Sequence, residues 1–293
     1  MTKVARLRRL IEEPGIVVLP GAHDVLSAKL IEQAGFPIVF TSGFGISAST
    51  LGMPDLGLLT MTETLDRVRR IVDAVSVPVV ADMDTGYGNP LNVVRTVEEC
   101  IRLGVAGIIL EDQLWPKKCG HMEDKQVIPA EEQVEKLRAA VYARGSDDLL
   151  IIGRTDACAS LGLDEAISRG QAYSKAGADV VFVEAPRSVD ELKTIAASFD
   201  VPLFANMIEG GKTPFLSAEE LEQLGFKMVV YPLSGLFDAT KAIQEMAAYL
   251  RSTGSTSGFG RMVSFAEFEE VIGVDRFRDI EARFAVREPS TAG

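Results

Sequence analysis

The chain has few cysteines, few histidines and no long apolar run, and each shortage narrows the kind of protein it can be. Its three cysteines are an odd number without the spacing of a disulfide framework, which indicates a reducing compartment. No apolar run approaches the roughly 18 residues that a membrane span requires, and no apolar segment of a signal peptide follows the N-terminal residues. We therefore expect a cytoplasmic protein that does not bind to a membrane.

Positive charge is also scarce. The 30 Lys and Arg residues are outnumbered by 42 Asp and Glu residues, which gives a net charge of −12. Such an acidic chain disfavours binding to nucleic acid. It also contains no complete G-x-G-x-x-G or G-x-x-x-x-G-K-[ST] loop of a nucleotide site. An acidic protein that acts on an anionic substrate needs a cation and local Arg or Lys residues at its site.

What the chain does contain is an alternation of short β-branched runs with amphipathic segments. The eight runs cover residues 16–19, 38–41, 77–81, 107–110, 149–153, 180–183, 203–205 and 228–231. The amphipathic segments include residues 62–75, 91–103, 130–143, 164–176 and 217–224. Apolar runs joined by helices are typical of a parallel sheet that is covered on both faces. Eight such units predict a (β/α)8 barrel, with a doubly wound open sheet as the alternative.

The same pattern predicts the domain organisation. We assign residues 1–250 to the barrel and residues 251–293 to a Ser-, Thr- and Gly-rich linker followed by C-terminal helices. Two short helical patterns, at residues 264–272 and 275–284, are expected to pack on the barrel or on a neighbouring subunit. No separate second domain is predicted.

Three carboxylates follow neighbouring runs. Asp82 and Asp84 come at the end of the third run, and Glu111 ends the fourth. The carboxyl ends of barrel strands share one mouth, so these side chains should lie close together. Hard oxygen ligands without a histidine cluster suit Mg²⁺, or Mn²⁺. The alternative is that the two aspartates only cap helices or brace a loop.

A loop with reactive side chains follows Glu111. Lys117 and Lys118 precede Cys119, and His121 comes two residues later. Nearby positive charge should favour the thiolate of such a cysteine, and His121 could contact the substrate or tune the thiol. The loop resembles a lid that closes over a substrate. Cys100, by contrast, is predicted to be a buried small hydrophobe on a helix.

Two further segments could bind an anion. Arg154 ends the fifth run, where a guanidinium can grip a carboxylate through two hydrogen bonds. Its alternative role is an ion pair with Asp156 or Glu184. The Gly-rich residues 41–45 could offer backbone N–H groups. A metal, an arginine and a thiol together suit chemistry on a 2-oxo or 2-hydroxy carboxylate, in which Cys119 protonates the carbanion left by C2–C3 cleavage.

These motifs resemble the isocitrate lyase and phosphoenolpyruvate mutase superfamily. The resemblance is carried by K-K-C-G-H at 117–121, A-D-M-D-T-G-Y-G at 81–88, L-E-D at 110–112, T-S-G at 41–43 and L-G-M-P-D at 51–55. It extends from about residue 5 to residue 285. It implies a (β/α)8 barrel whose final helix is exchanged between subunits of a dimer or of a dimer of dimers, that is, a homotetramer.

The resemblance also implies roles for individual residues. Mg²⁺ would be held by Asp82 directly and by Asp84 and Glu111 partly through water. The implied catalytic residues are Cys119, His121, Lys118 and Glu184. The implied substrate-binding residues are Ser42, Gly43, Phe44, Asp55, Gly120, Arg154 and Asn206.

The Cys-Gly-His favours a lyase over the phosphonomutase branch of the superfamily. Residues 114–116 and 206–214 look most like the group of 2,3-dimethylmalate lyase, oxaloacetate hydrolase and petal death protein. The expected activity is Mg²⁺-dependent cleavage of a 2-hydroxy di- or tricarboxylate, of the 2-methylisocitrate or alkylmalate type, to a 2-oxo acid and a carboxylate. The alternatives are an oxaloacetate hydrolase, a carboxyphosphonoenolpyruvate phosphonomutase-like enzyme and, more distantly, a non-catalytic dicarboxylate-binding barrel.

Overall fold

The computed structural model describes residues 1–122 and 124–285. Eight parallel strands close into a barrel in sequence order, because β1 pairs with both β2 and β8. The strands are β1 (Val17–Ala22), β2 (Val39–Thr41), β3 (Val79–Asp82), β4 (Gly107–Glu111), β5 (Leu150–Thr155), β6 (Val180–Val183), β7 (Leu203–Asn206) and β8 (Met228–Tyr231). The predicted (β/α)8 barrel is confirmed, and the open sheet is excluded by the β1–β8 pairing.

Helices separate the strands and cover the barrel. Those up to the last strand are α1 (Lys3–Glu12), α2 (Val25–Gln33), α3 (Gly43–Leu51), α4 (Met61–Ala74), α5 (Pro90–Arg102), α6 (Ala130–Arg144), α7 (Ala157–Leu161), α8 (Leu163–Lys175), α9 (Val189–Ala196) and α10 (Ala218–Leu224). Several begin with a capping box, as at Asp24, Thr60, Asn89 and Ser217. The short helices α3 and α7 directly follow β2 and β5, so their N-termini lie at the mouth of the barrel.

Apolar side chains fill the barrel interior and the layer between strands and helices. Inside the barrel, Phe182 and Phe204 pack with ring centroids 4.9 Å apart, and Phe40 lies 6.4 Å from Phe204. Leu7 of α1 is fully buried in the same cluster. The strands are buried along nearly their whole length, which explains why they read as apolar runs rather than as alternating patterns.

From Thr240 the chain belongs to a second compact unit. Its described part contains most of α11 (Ser234–Thr253), then α12 (Phe265–Ile272) and α13 (Val274–Phe284). Arg278 of α13 pairs with Glu269 of α12 at 3.1 Å. Residues 286–293 lie outside the described part, and the packing of this segment on the barrel or on another subunit stays a prediction. Among the described residues, none of the helices has the length and apolar character needed to span a bilayer.

Candidate active site

The carboxyl ends of the strands surround one cavity. The predicted site residues that line it are Ser42, Phe44, Asp55, Asp82, Glu111, Lys118, Cys119, Gly120, Arg154, Glu184 and Asn206. Three others contact residues of this lining: Gly43 donates its N–H to Asp82, Asp84 pairs with Lys117, and His121 contacts Glu184. The barrel therefore brings together side chains that are up to 164 positions apart in the chain, from Ser42 to Asn206.

One side of the mouth, which we call the carboxylate-rich half, consists of Asp55, Asp82, Asp84, Glu111 and Lys117. The Lys117 ammonium lies 2.7 Å from Asp55 Oδ1 and 2.6 Å from Asp84 Oδ1. All five side chains are buried. Arg154, from the other side of the mouth, adds a second positive charge 3.3 Å from Glu111 Oε2. The four carboxylates still outnumber these two cations, so this half is short of positive charge.

The pKa values follow from this deficit. Burial raises the pKa of Asp84 to about 6, because the neighbouring carboxylates Asp82 and Asp55 reinforce desolvation while Lys117 only partly opposes it. Burial also raises the pKa of Glu111 well above its usual range, against the opposing effect of Arg154. Lys117 is desolvated too, but its four carboxylate neighbours hold its pKa above the ordinary value, so it stays charged.

The N-terminus of α3 lies against the same carboxylates. Ser42 caps this helix by accepting the N–H of Gly45 at 3.3 Å, and the N–H of Gly43 points to Asp82 Oδ2 at 3.3 Å. A Cβ on Gly43 would come within 3.0 Å of that oxygen. The partial positive charge of the helix end therefore offsets part of the carboxylate charge. The N–H of Gly43, one of the backbone groups that we predicted to bind an anion, thus already contacts a carboxylate of the protein itself.

The donor set fits a divalent cation. Its oxygens are hard ligands, and Glu111 Oε1 is buried without a hydrogen-bond partner. Within residues 1–122 and 124–285, however, no three His, Cys, Asp or Glu side chains converge closely enough to hold a metal ion as they stand. The cationic group that contacts Asp55 and Asp84 is the ammonium of Lys117.

The other side of the mouth, which we call the paired half, consists of Arg154, Asp156, Glu184, His121 and Lys125. Arg154 donates to Asp156 Oδ2 at 2.8 Å and to Asp156 Oδ1 at 3.0 Å. Its Nη2 also lies 3.4 Å from Glu184 Oε2, and its guanidinium carbon lies 5.1 Å from the Phe182 ring centroid. Both ion pairs expected as the alternative role of Arg154 are therefore present, and the guanidinium still lines the cavity.

Glu184, like Asp156, has charged partners on more than one side. Burial alone would raise its pKa, but Arg154 and the hydrogen bond from His121 lower that pKa to about 2. His121 Nδ1 accepts the backbone N–H of Lys212 at 2.9 Å, which leaves the proton on Nε2, 2.9 Å from Glu184 Oε1. The next residue, Ala185, has a φ of 58°, a strained conformation for alanine that fits a functional site.

Asp112, the neighbour of Glu111, faces away from the cavity. It accepts hydrogen bonds from the Thr155 hydroxyl at 2.8 Å, the Asp156 N–H at 2.8 Å and the Tyr173 hydroxyl at 2.6 Å. These bonds fix the turn after β5. Asp112 therefore braces the residues that hold Arg154, whereas Glu111 faces the cavity.

The thiol of Cys119 lines the cavity but is not activated as a thiolate. Burial raises its pKa to about 11, and the backbone hydrogen bond at His121 and the charge of Arg154 offset only part of that effect. The prediction that nearby positive charge favours the thiolate is wrong, because Lys117 pairs with Asp55 and Asp84 and the desolvation of the thiol outweighs the remaining positive charge. Cys100 is buried on α5 as predicted, and burial raises its pKa to about 12.

The sequence predicted a catalytic role for Lys118, for Lys117 only the role of favouring the thiolate, and no role for Lys125. Lys118 lines the cavity, but its ammonium donates to the Asp124 carbonyl at 3.2 Å. Lys117 reaches the carboxylates instead, and Lys125 is buried against Asp156. The order of adjacent lysines on an irregular loop does not show which one points inward. Asp156, which holds Arg154, was considered only as an ion-pair partner.

The segment after β8 completes the cavity wall. Pro232 and Leu233 line it, while the Ser234 hydroxyl turns away to donate to Glu209. Phe44 and Ile208 also line the cavity, so part of its wall is apolar. An apolar wall next to a polar site suits a substrate with an alkyl substituent.

Comparison with known proteins agrees with this geometry. Residues 7–251 match the family described as phosphoenolpyruvate phosphomutase. The chain is 46% identical to 2,3-dimethylmalate lyase of Eubacterium barkeri, over 97% of this chain and 99% of that one. It is 44% identical to 2-methylisocitrate lyase of Bacillus subtilis (strain 168), over 85% and 82% of the two chains.

Solved structures extend the similarity to three dimensions. An oxaloacetate acetylhydrolase in complex with 3,3-difluorooxalacetate superposes with a TM-score of 0.92 at 36% identity, covering 96% of each chain. A phosphonopyruvate hydrolase in complex with oxalate and Mg²⁺ gives a TM-score of 0.87 at 34% identity, over 97% of this chain and 99% of that one. The chain therefore belongs to the phosphoenolpyruvate mutase and isocitrate lyase superfamily, as its motifs predicted.

Proposed function

We propose that the protein is a Mg²⁺-dependent carbon–carbon lyase that cleaves a 2-hydroxy dicarboxylate, of the alkylmalate or 2-methylisocitrate type, to a 2-oxo acid and a carboxylate. One observation carries the proposal. A half-buried thiol with a raised pKa, a guanidinium and a set of carboxylates that outnumber their cationic partners line the same cavity. The relatives named 2,3-dimethylmalate lyase and 2-methylisocitrate lyase support this reaction class.

Asp82, Asp84 and Glu111 would hold the metal. When bound there, Mg²⁺ would supply a Lewis acid for the carboxylate and the adjacent oxygen of the substrate. The unpartnered Glu111 Oε1 and the raised pKa values of Glu111 and Asp84 support a cation at this place. The Mg²⁺ in the phosphonopyruvate hydrolase complex supports the choice of ion.

Cys119 would act as a general acid. After the C2 hydroxyl gives its proton to a base of the site, cleavage of the C2–C3 bond makes C2 the carbonyl carbon of the 2-oxo acid and leaves the electron pair on C3, which takes a proton from the thiol. The thiolate then regains a proton from water. The raised pKa of Cys119 supports that role, because the thiol keeps its proton at neutral pH. A thiolate nucleophile would need the opposite shift. Arg154, whose position is fixed by Asp156, would bind a substrate carboxylate, and His121 would hold Glu184 in place.

The apolar wall supports the choice of an alkyl-substituted substrate. Phe44, Ile208, Pro232 and Leu233 offer no donor to a polar C3 substituent through their side chains. The rival is an oxaloacetate hydrolase, in which water attacks the keto carbon and gives oxalate and acetate. The structural similarity to oxaloacetate acetylhydrolase supports this hydrolase activity as the second candidate function.

A proton NMR time course tests the proposal. The protein is incubated with Mg²⁺ and, in separate tubes, 2,3-dimethylmalate, 2-methylisocitrate or oxaloacetate. Pyruvate from 2-methylisocitrate, or propionate with pyruvate from 2,3-dimethylmalate, is the expected result. Acetate and oxalate from oxaloacetate alone would assign the hydrolase. Binding of these acids without any turnover would indicate the non-catalytic alternative.

The thiol is tested with Cys119→Ser. A serine hydroxyl is a much weaker acid, so we expect kcat to fall by about 10²- to 10⁴-fold. Cys158→Ser is the matched control, because Cys158 is also buried and does not line the cavity. Activity of Cys119→Ser within a few-fold of the control would remove the proposed role of the thiol.

A further inference from the structure

Lys125 is a buried charge that the proposed reaction does not use. Its side chain is 1% exposed, and it lies 2.8 Å from Asp156 Oδ1, whose own side chain is 0% exposed. The same ammonium donates to the backbone carbonyl of Gly120. A fully buried lysine is rare unless it is paired, so its two partners need an explanation.

The two partners belong to different parts of the mouth. Gly120 follows Cys119 directly in the loop of residues 113–127, whereas Asp156 belongs to the turn after β5. Asp156 holds Arg154 through two hydrogen bonds, and its Oδ1 accepts from both Arg154 and Lys125. The Lys125 ammonium therefore connects the loop that carries the thiol with the arginine that faces the cavity.

Close packing at Gly120 shows how tightly the loop is held. A Cβ at this position would lie 2.5 Å from Arg154 Nη2 and 2.7 Å from Glu184 Cγ. The loop backbone thus rests directly on the Arg154–Glu184 pair. At its base the loop is closed by a bridge between Gln113 and Val127. Two buried ammonium groups link the loop to the barrel: Lys117 pairs with Asp55 and Asp84, and Lys125 pairs with Asp156 next to Arg154.

We infer that Lys125 is a positioning residue, which clamps the loop of residues 113–127 onto Asp156 and so places the Cys119 thiol over the substrate. This inference rests on the proposed function for its kinetic consequence, but not for the clamp itself. When the clamp is lost, Arg154 keeps its two hydrogen bonds to Asp156, so substrate binding is largely retained. The thiol, however, loses its fixed position.

The test compares Lys125→Met with Lys227→Met. The Lys227 ammonium also joins two backbone carbonyls, of Glu13 and Gly15, but at the amino end of β8, away from the mouth. For Lys125→Met we expect thermolysin to cut within residues 113–127 at least about tenfold faster than in the control, because the loop opens more often. We expect kcat to fall about 10- to 100-fold with KM changed less than about threefold, because only placement of the acid is lost.

The following outcomes decide whether Lys125 clamps the loop. Equal cleavage and equal kcat in the two folded variants would overturn the inference, and so would a rise of KM with kcat unchanged. If Lys125→Met does not melt cooperatively, Lys125→Gln takes its place, since its amide can reach one acceptor but not both, and the same criteria apply. If the wild-type protein turns over none of the acids offered, the proposed function fails, while the cleavage comparison still decides whether Lys125 clamps the loop.

Discussion

The two halves of the mouth differ in how far their buried carboxylates are paired with positive charge. In the carboxylate-rich half, four carboxylates face Lys117 and the edge of Arg154, and the pKa of Asp84 rises to about 6. In the paired half, Arg154 and the hydrogen bond from His121 hold the pKa of Glu184 at about 2. The difference supports the proposal that the first half receives a cation, whereas the charges of the second half are paired within the protein.

This contrast also separates two kinds of pre-organisation. Donors that are already hydrogen-bonded hold their positions when an anion binds, which costs little reorganisation. Carboxylates that have too few cationic partners instead bind a cation strongly, because the ion removes the repulsion between them. The four predictions below test this comparison, from the largest expected effect to the smallest.

The largest effect is expected from Arg154→Met, which breaks the paired half. It leaves Asp156 and Glu184 buried without their main counter-charge, so the free energy of unfolding should fall by about 3–5 kcal/mol. Urea denaturation measures this. Arg144→Met is the control, since Arg144 pairs with Asp179 in a more exposed site and should cost less. If both variants lost the same free energy of unfolding, the buried ion pairs of the mouth would contribute no more than the more exposed pair of Arg144 with Asp179.

A smaller loss is expected from Lys117→Met in the carboxylate-rich half. Asp84 and Glu111 can take up protons when the lysine is removed, so we expect a loss of about 2–4 kcal/mol in EDTA. Mg²⁺ should raise the Tm of this variant by more than that of the wild type, because the ion no longer competes with the ammonium. Lys193→Met, at an exposed ion pair, should leave the Mg²⁺ response unchanged. An identical response of Lys117→Met and the wild type would argue against a metal at this place.

The two halves should also differ in how their stability depends on pH. Burial raises the folded pKa of Asp84 from 3.8 to about 6, so its contribution is present below pH 3.8 and is lost as the pH rises through 6. The folded pKa of Glu184 is depressed from 4.5 to about 2, so its contribution is present above pH 4.5 and is lost as the pH falls through 2.

Urea denaturation in EDTA from pH 4 to pH 7 checks these signs. The unfolding free energy of the wild type relative to Asp84→Asn should decrease by on the order of 2 kcal/mol as the pH rises. Asparagine tolerates the φ of 50° at position 84, so the substitution changes the charge with little backbone strain. The difference between the wild type and Glu184→Gln should stay flat above pH 4.5. A flat profile for Asp84→Asn would contradict the raised pKa.

The smallest effect is expected from Asn206→Ala. The Asn206 amide donates to Glu184 Oε2 at 3.1 Å, but Glu184 keeps Arg154 and His121 as partners. Loss of one of several hydrogen bonds should lower the free energy of unfolding by about 1 kcal/mol. Thermal melting and urea denaturation measure this. A loss as large as that of Arg154→Met would show that the paired half depends on each of its members.

Several features of the site were predictable because they depend on local sequence. The eight apolar runs match the eight strands to within a few residues, and the polar residues at their ends do meet at one mouth. Asp82 and Glu111 were recognisable because each ends a buried run. The roles of individual residues as metal ligands or catalysts remain predictions.

Other features were not predictable from local pattern. Glu111 and Asp112 are adjacent at the end of one strand, yet one faces the cavity and the other contacts Tyr173 and Thr155. Lys117 and Lys118 are adjacent on a loop, where no periodicity assigns the inward position. The short helix α3 was not separated from its loop, although its N-terminus contacts Asp82.

The eight strand–helix units and the family were predictable from the sequence, because apolar periodicity and short motifs act over a few residues. The closure of the sheet was established by the pairing of β1 with β8. Only the tertiary structure decided the charge state of the site. The pKa of Cys119 rises because the loop buries the thiol, and Lys125 becomes a clamp because Asp156, 31 positions away, is buried against it. Desolvation and charge pairing depend on which distant side chains come within a few ångströms, and that is settled only when the chain has folded.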